Sequence, residues 1–214
     1  MTNRQPSFLR IELLSDSTFS RGEGTPGMVD IEVERDKWGM PFIGGKTIRG
    51  LLRDSWLSMS PHFPNLQTAA ERVLGRSRAV DESCRLRIAD AIPPEPIRAA
   101  VREAAMRSPY PLLPNAILDA FTTIRYQTAE DRETGAPDAT TLRASRVVLR
   151  GFVFEAGLVW LDGYEPAPDD LRLLALCALA TRHGGLLRNR GRGHIRITLD
   201  GDLAKTRRHA EVRS

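Results

Sequence analysis

Three stretches of the chain carry residue types suited to chemistry on a phosphate backbone. The first is His183-Gly184-Gly185-Leu186-Leu187-Arg188-Asn189-Arg190-Gly191-Arg192-Gly193-His194, with four glycines and three arginines between residues 184 and 193. Glycine tolerates positive φ and lets the backbone approach a ligand. Neighbouring N–H groups can then form a concave anion site, and the guanidinium fork matches a phosphate. The second is Asp30, directly after the loop Gly22-Glu23-Gly24-Thr25-Pro26-Gly27. Asp30, Glu32, Glu34 and Asp36 alternate, so they share a face if Met28–Asp36 is a strand. A solvated acidic face accounts for the last three. Asp30 sits at a loop–strand junction, where a carboxylate can serve a phosphodiester as metal ligand or proton acceptor; the plainer alternative is one more solvated acid. The third is Gly44-Gly45-Lys46-Thr47 at the start of a helical pattern, where free N–H groups and the dipole favour an anion.

Other chemistries fit less well. Gly39 lies one residue too far from Gly45-Lys46 for a nucleotide-binding P-loop, and the charged run before it is not a buried strand. His62, His183, His194 and His209 form no metal-ligand spacing. His183 and His194 bracket the glycine loop, where each can touch a ligand, act as acid or base, or make an ordinary hydrogen bond. No GxSxG motif is present.

The 214 residues suffice for one large domain or two small ones. No apolar run is long enough to span a bilayer, and Met1–Pro6 lacks a signal-peptide core. These features predict a cytoplasmic protein with no membrane partner. Cys84 and Cys177 stand far apart, which points to free thiols in a reducing compartment. Of the 31 basic residues, 28 are arginine. A GC-rich genome explains that bias as readily as RNA contact does. Distribution is more telling: residues 184–214 hold eight basic and three acidic residues, so the charge is concentrated there.

These residues need elements to position them. Phe8–Leu14 alternates as a strand. Gly45–Met59 is a helix with Ile48, Leu51, Leu52 and Ser55 inward and Lys46, Arg49 and Arg53 on another face. Ala69–Leu74 and Ile97–Met106 are weaker helices, and Cys84–Ala91 is a strand. Thr122–Tyr126 and Arg143–Val148 flank the polar segment Gln127–Thr141, which predicts a long hairpin. Phe121 and Tyr126 border it; Tyr126 is placed to stack on a base or, more simply, to pack at the hairpin root. Val147–Leu161 is strand material, Asp169–Thr181 a helix, and Ile195, Ile197 and Leu199 mark a last strand. The order strand–helix–strand, strand–helix–strand predicts an α+β fold of ferredoxin-like or RNA-recognition type, with first and last strands adjacent. One domain covers residues 1–202, and residues 203–214 read as a polar, frayed tail.

Pro41-Phe42-Ile43-Gly44-Gly45-Lys46-Thr47-Ile48-Arg49-Gly50-Leu51-Leu52-Arg53 resembles the P-x-I-P-G-S-S-[IL]-[KR]-G-x-[LM]-R signature of the RAMP superfamily of CRISPR proteins. Gly27-Met28-Val29-Asp30 resembles the G-x-[IV]-D of backbone subunits of type III (Csm/Cmr) effector complexes. Arg85–Ala91 is similar to the strand ending in an x-D-A turn. Asp131-Arg132-Glu133-Thr134-Gly135 is similar to the D-R-x-T-G of the thumb hairpin, and Gly184–Gly193 to the family's glycine-rich loop. The departures are Gly44 and Lys46-Thr47 in place of Pro and Ser-Ser, and Thr18–Gly22 in place of a His-x-Gly loop.

The resemblance implies a modified ferredoxin-like palm with finger insertions and a thumb hairpin at about 122–148. It implies a subunit that stacks with copies of itself or related subunits along a CRISPR RNA, beside other type III effector subunits and a single-stranded target RNA. Asp30 would be the residue for cutting that target, with a divalent metal (magnesium or manganese), as an endoribonuclease within the complex. RNA contacts would come from Lys46, Thr47, Arg49, Arg53, Arg125, Arg132, Arg143, Gly184, Gly185, Arg188, Arg190 and Arg192. The alternatives are a guide-RNA-binding subunit that does not cut, and a stand-alone nuclease that processes CRISPR RNA.

Overall fold

Alternation along Phe8-Leu9-Arg10-Ile11-Glu12-Leu13 puts Leu9, Ile11 and Leu13 on one face, and all three are buried. This strand, β1 (Phe8–Leu13), is an inner strand of the main sheet in a computed structural model that describes residues 5–20, 22, 24, 29–76, 83–128, 142–188 and 190–211. The other strands are β2 (Leu86–Ile92), β5 (Val153–Trp160) and β6 (Ile195–Leu199), in the spatial order β2-β5-β1-β6 and all antiparallel. Two helices join them: α1 (Gly45–Met59) follows β1, and α5 (Pro168–Ala180) follows β5. That is the βαββαβ path of a ferredoxin-like fold, with the first and last strands paired as their pattern predicts.

α1 and α5 pack side by side against the sheet. Ile48, Leu52 and Trp56 of α1 join Leu171, Leu173, Leu174, Cys177 and Ala178 of α5 in the buried set. Each of the Ile and Leu side chains contributes roughly 1.5–3 kcal/mol by leaving water. Cys177 is fully buried, and desolvation pushes its thiol up to about 12. The opposite face carries cross-strand charges, with Arg10 opposite Glu155 and Glu12 opposite Arg196. α2 (Gln67–Leu74) is held to α5 by Arg72, whose guanidinium meets the buried Asp170 carboxylate at 2.8 Å. Asp170 also accepts from the Tyr164 hydroxyl and the Ala167 N–H, so four donor groups satisfy one buried charge.

The remaining elements are insertions. α3 (Glu95–Met106) and α4 (Pro114–Phe121) build a satellite core of Met40, Val101 and Ile117. α4 is absent from the sequence reading because prolines crowd the segment leading into it; Pro114 itself takes a first-turn position, where no N–H is needed. β3 (Thr122–Gln127) and β4 (Arg143–Val148) form a separate two-stranded sheet, the expected hairpin. Most of its connecting segment, including Asp131–Gly135 and Arg132, lies outside the described residues.

Four expectations need correction. Residues 29–36 form no strand: Ile31 and Arg35 make isolated bridges, because the segment's N–H and C=O groups are shared among β4, Phe19 and Met40 instead of one partner strand. Val147–Leu161 is divided by a turn at residues 149–152, so only Val153–Trp160 belongs to the main sheet. Residues 203–210 are not frayed but form α6 (Leu203–Ala210), capped by Asp202 and tied to β6 by the buried Thr206 hydroxyl, which accepts from the Leu199 N–H at 2.9 Å. Tyr126 does not pack at the hairpin root; its outward position on β3 leaves it 63% exposed.

Candidate nucleic-acid interface

Three consecutive residues of β4 each bind a different part of the candidate site. Ala144 donates its N–H to the Asp30 carboxylate at 2.7 Å, and its carbonyl accepts from the Asp30 and Ile31 N–H groups. The Ser145 hydroxyl accepts from the Arg192 guanidinium at 2.8 Å. Arg146 donates its N–H to the Ile31 carbonyl at 2.9 Å, and its side chain pairs with Glu32 at 2.9 Å. The hairpin root thus gathers Asp30, the glycine loop and the acidic segment, which are far apart in sequence. Asp30 itself remains exposed.

A cleft of about 320 Å³ opens beside this strand, lined by Ile31, Gln127, Thr128, Arg143, Ser145, Leu187 and Arg190. Arg143 of the hairpin and Arg190 of the glycine loop both line it. Arg192 is half-buried; burial and the nearby Arg125 guanidinium draw its pKa down, against the pull of Asp16. Arg125 is paired with Asp16 at 2.8 Å, and the same carboxylate accepts from the Arg150 N–H. Asp16 therefore offsets part of the charge that Arg125 and Arg192 bring to one place.

The glycine loop is built first for its own closure. Gly184 donates its N–H to the Gly193 carbonyl, Gly193 to Asp16 and Leu186 to Thr18, all at 2.8–3.0 Å. Gly193 has φ of +72°, and a Cβ there would lie 2.2 Å from the Gly184 carbonyl oxygen. The N–H groups of Gly184 and Gly193 thus bind the chain, and the loop offers a ligand its arginines more than a ring of free amides. Those arginines diverge: Arg188 lines a different cleft of about 470 Å³ with His62, Arg182 and His183, on the α1 side. His183 and His194 pair across the loop's neck, with their rings stacked 5.3 Å apart.

The start of α1 departs further from expectation. The Gly45 N–H is taken by the chain's own Asp90 carboxylate at 2.7 Å. Gly45 is required by close packing, since a Cβ would lie 2.3 Å from the Ile88 carbonyl oxygen. Arg49 turns inward and donates to the Val73 and Leu86 carbonyls and to the Cys84 sulfur. It is a clasp between α1, α2 and β2, not an outward cation. Arg53 lines a third cleft, with Glu71 and Arg76. Lys46 and Thr47 are exposed at the first turn. Of the expected RNA contacts, Arg125, Arg143, Arg190 and Arg192 therefore gather at the hairpin root, the strand pair that also holds Asp30. Arg49, Arg53 and Arg188 lie elsewhere, and Arg132 lies outside the described residues.

Asp16, Ser145, Arg146 and Asp90 escape the sequence reading. Asp90 stood in a noticed turn, but its partner is 45 residues away. The other three carry no local signal. For a divalent ion, Asp30 offers one carboxylate with an oxygen already oriented by Ala144. Magnesium is commonly held by one or two carboxylates, with substrate phosphates and water completing its shell. Asp30 fits as such an anchor; among the described residues, no group of three or more His, Cys, Asp or Glu could hold an ion. No helix among those residues is long and apolar enough to cross a membrane.

A family model described as the RAMP superfamily matches residues 10–196. Solved structures with a similar fold include a chain from the cryo-EM structure of type III-B Cmr-beta in the apo state. That chain is 13% identical, with a TM-score of 0.65 over 92% of this chain and 97% of the other. Another is a chain from type III-B Cmr-beta bound to cognate target RNA, 12% identical, with a TM-score of 0.63 over 91% and 96%. No curated protein matches the sequence significantly.

Proposed function

From the premise that this chain belongs to the RAMP superfamily, we propose that it is a guide-RNA-binding backbone subunit of a type III CRISPR effector complex that cuts guide-paired target RNA at Asp30. The observation that carries this reading is the convergence on β4 of one exposed carboxylate and the arginines of two separate segments. Its partners are a CRISPR RNA, a single-stranded target RNA, copies of itself or related subunits, and the other subunits of the effector. The fold likeness to chains of Cmr-beta structures, one of them bound to target RNA, supports the same assignment. A cytoplasmic location goes with these partners.

Cutting would use the target's own 2′-hydroxyl as nucleophile. Its oxygen bonds to the adjacent phosphorus and the 5′-oxygen leaves, giving a cyclic phosphate and a 5′-hydroxyl. The protein's part is alignment and charge compensation. Arg143 and Arg190, both lining the cleft, would grip phosphates, and Arg192, bound to Ser145, would hold the loop in register. Asp30 would hold magnesium or manganese, which supplies positive charge at the reacting phosphodiester.

The hydrogen bond from Ala144 to Asp30 also supports a second reading, in which this carboxylate only ties the hairpin down and the subunit holds guide RNA without cutting. Asp30→Asn separates the two, because the amide oxygen can still accept that N–H while the charge is gone. The expected outcome is target cutting reduced about 100-fold or more, with subunit assembly and guide retention unchanged. Unchanged cutting would sink the catalytic assignment and leave the structural one.

A further inference from the structure

Arg146 is one of the few charged side chains in the interior. It is 5% exposed, on β4, two residues beyond the Ala144 that binds Asp30. Its guanidinium stands 2.9 Å from Glu32 at Nε, an ion pair without the alignment of a hydrogen bond, and donates to the Asp119 carboxylate at 2.7 Å and the Thr122 hydroxyl at 3.1 Å through Nη1. Its main chain is equally committed, with the N–H on Ile31 and the carbonyl accepting from the Thr18 hydroxyl at 2.9 Å. One residue therefore joins the Asp30–Glu32 segment, the hairpin, the end of α4 and the loop after β1.

A buried ion pair adds little stability over a well-packed apolar pair, so its physical value lies in geometry. Residues 29–36 lack a continuous partner strand, so among the described residues Asp30 is held to β4 through Ala144 alone and the placement of its segment falls to side chains. One oxygen of the Glu32 carboxylate, two residues on, takes both the Arg146 ion pair and the Val33 N–H. We propose that Arg146 is a positioning residue for cutting: by clasping Glu32 from the hairpin, it sets where the Asp30 carboxylate stands relative to the RNA. This rests on the reading of Asp30 as the cutting residue. It adds that the hairpin and the carboxylate move as one body, so that an RNA seated against the hairpin is presented to Asp30 in fixed register.

The test compares Arg146→Met with the double variant Arg146→Met, Glu32→Gln, in the assembled complex and in the full-length chain. The single variant strands the Glu32 charge and tests folding as well as cutting; the double variant removes both charges and keeps an acceptor for the Val33 N–H. The expected result is a double variant with melting temperature and guide retention near wild type, and target KM unchanged. Its turnover should fall about 10- to 100-fold, and amide exchange should quicken at residues 29–34 and 142–146. Wild-type turnover in the double variant, or unchanged exchange at those amides, would overturn the proposal. If wild-type complex fails to cut, or Asp30→Asn cuts normally, the reading of Asp30 fails instead, and the exchange measurement still decides whether Arg146 holds the segment.

Discussion

The start of α1 and the root of the hairpin both bring glycines beside basic residues, yet they use them in opposite ways. At α1, the Gly45 N–H is bound to Asp90 and the Arg49 guanidinium to two carbonyls and a sulfur, so the motif works inside the protein. At the hairpin root, the glycine loop closes on itself and leaves Arg143 and Arg190 lining an open cleft beside Asp30. The lesson is that a glycine-plus-cation pattern states a capacity for binding anions. Whether the anion comes from solution or from the chain depends on which carboxylates and carbonyls the fold places nearby.

The sharpest way to break this contrast is to remove cations from each region and measure RNA affinity and stability together. Changing Arg143, Arg190 and Arg192 to Ala together is expected to weaken RNA binding about 100-fold at low salt and to flatten its salt dependence by about three counterions. The melting temperature should move little, and unaltered affinity would remove the cleft from the RNA path. Arg49→Met should do the reverse, costing about 2 kcal/mol of stability through the carbonyls it strands, while RNA affinity in the folded fraction stays put. A matching loss of affinity would return Arg49 to the interface.

Asp90→Ala is a finer probe of the same region. Loss of a helix cap is expected to cost about 1 kcal/mol, without any gain in RNA affinity. Tighter binding in that variant would mean that the vacated N–H groups accept a phosphate after all. The smallest effect concerns Asp200, which belongs to neither region and serves as the reference. Burial alone would raise its pKa, but Lys205 and the Ser7 and Phe8 N–H groups hold it below the ordinary 3.8. Its folded pKa is depressed, so its contribution to stability is complete above the unfolded value and disappears as pH falls through the folded one. Asp200→Asn should therefore shallow the acid limb of stability below about pH 4, leaving RNA binding at neutral pH unchanged.

Much of the frame was legible in the sequence because it depends on local periodicity. Leu9, Ile11 and Leu13 mark β1 by alternation, and Gly45–Met59 has the bounds its apolar spacing implies. The hairpin strands are recognisable from the polar segment between them, and the path through four strands follows from their order. The acidic run at 30–36 misled for the same reason. Its alternation is real, but a strand also needs continuous pairing, and β4 meets this segment only around Ile31 before its later groups turn to Phe19 and Met40. α6 was hidden by its polar composition: it is anchored by a buried threonine hydroxyl and a cap, neither of which registers as hydrophobic pattern.

The sequence by itself determined which residues could bind phosphate, which strands and helices would build the main sheet, and that the first and last strands would meet. These follow from side-chain chemistry and from periods of two and 3.6 residues, which act over short distances. Only the tertiary structure decided which of those residues share a site. Ala144, Ser145 and Arg146 reach Asp30, Arg192 and Glu32 across separations of 47 to 114 residues. Asp90 meets Gly45 in the same way. Such pairings are set by how the hairpin, loop and sheet pack, and a charge has no partner until packing supplies one.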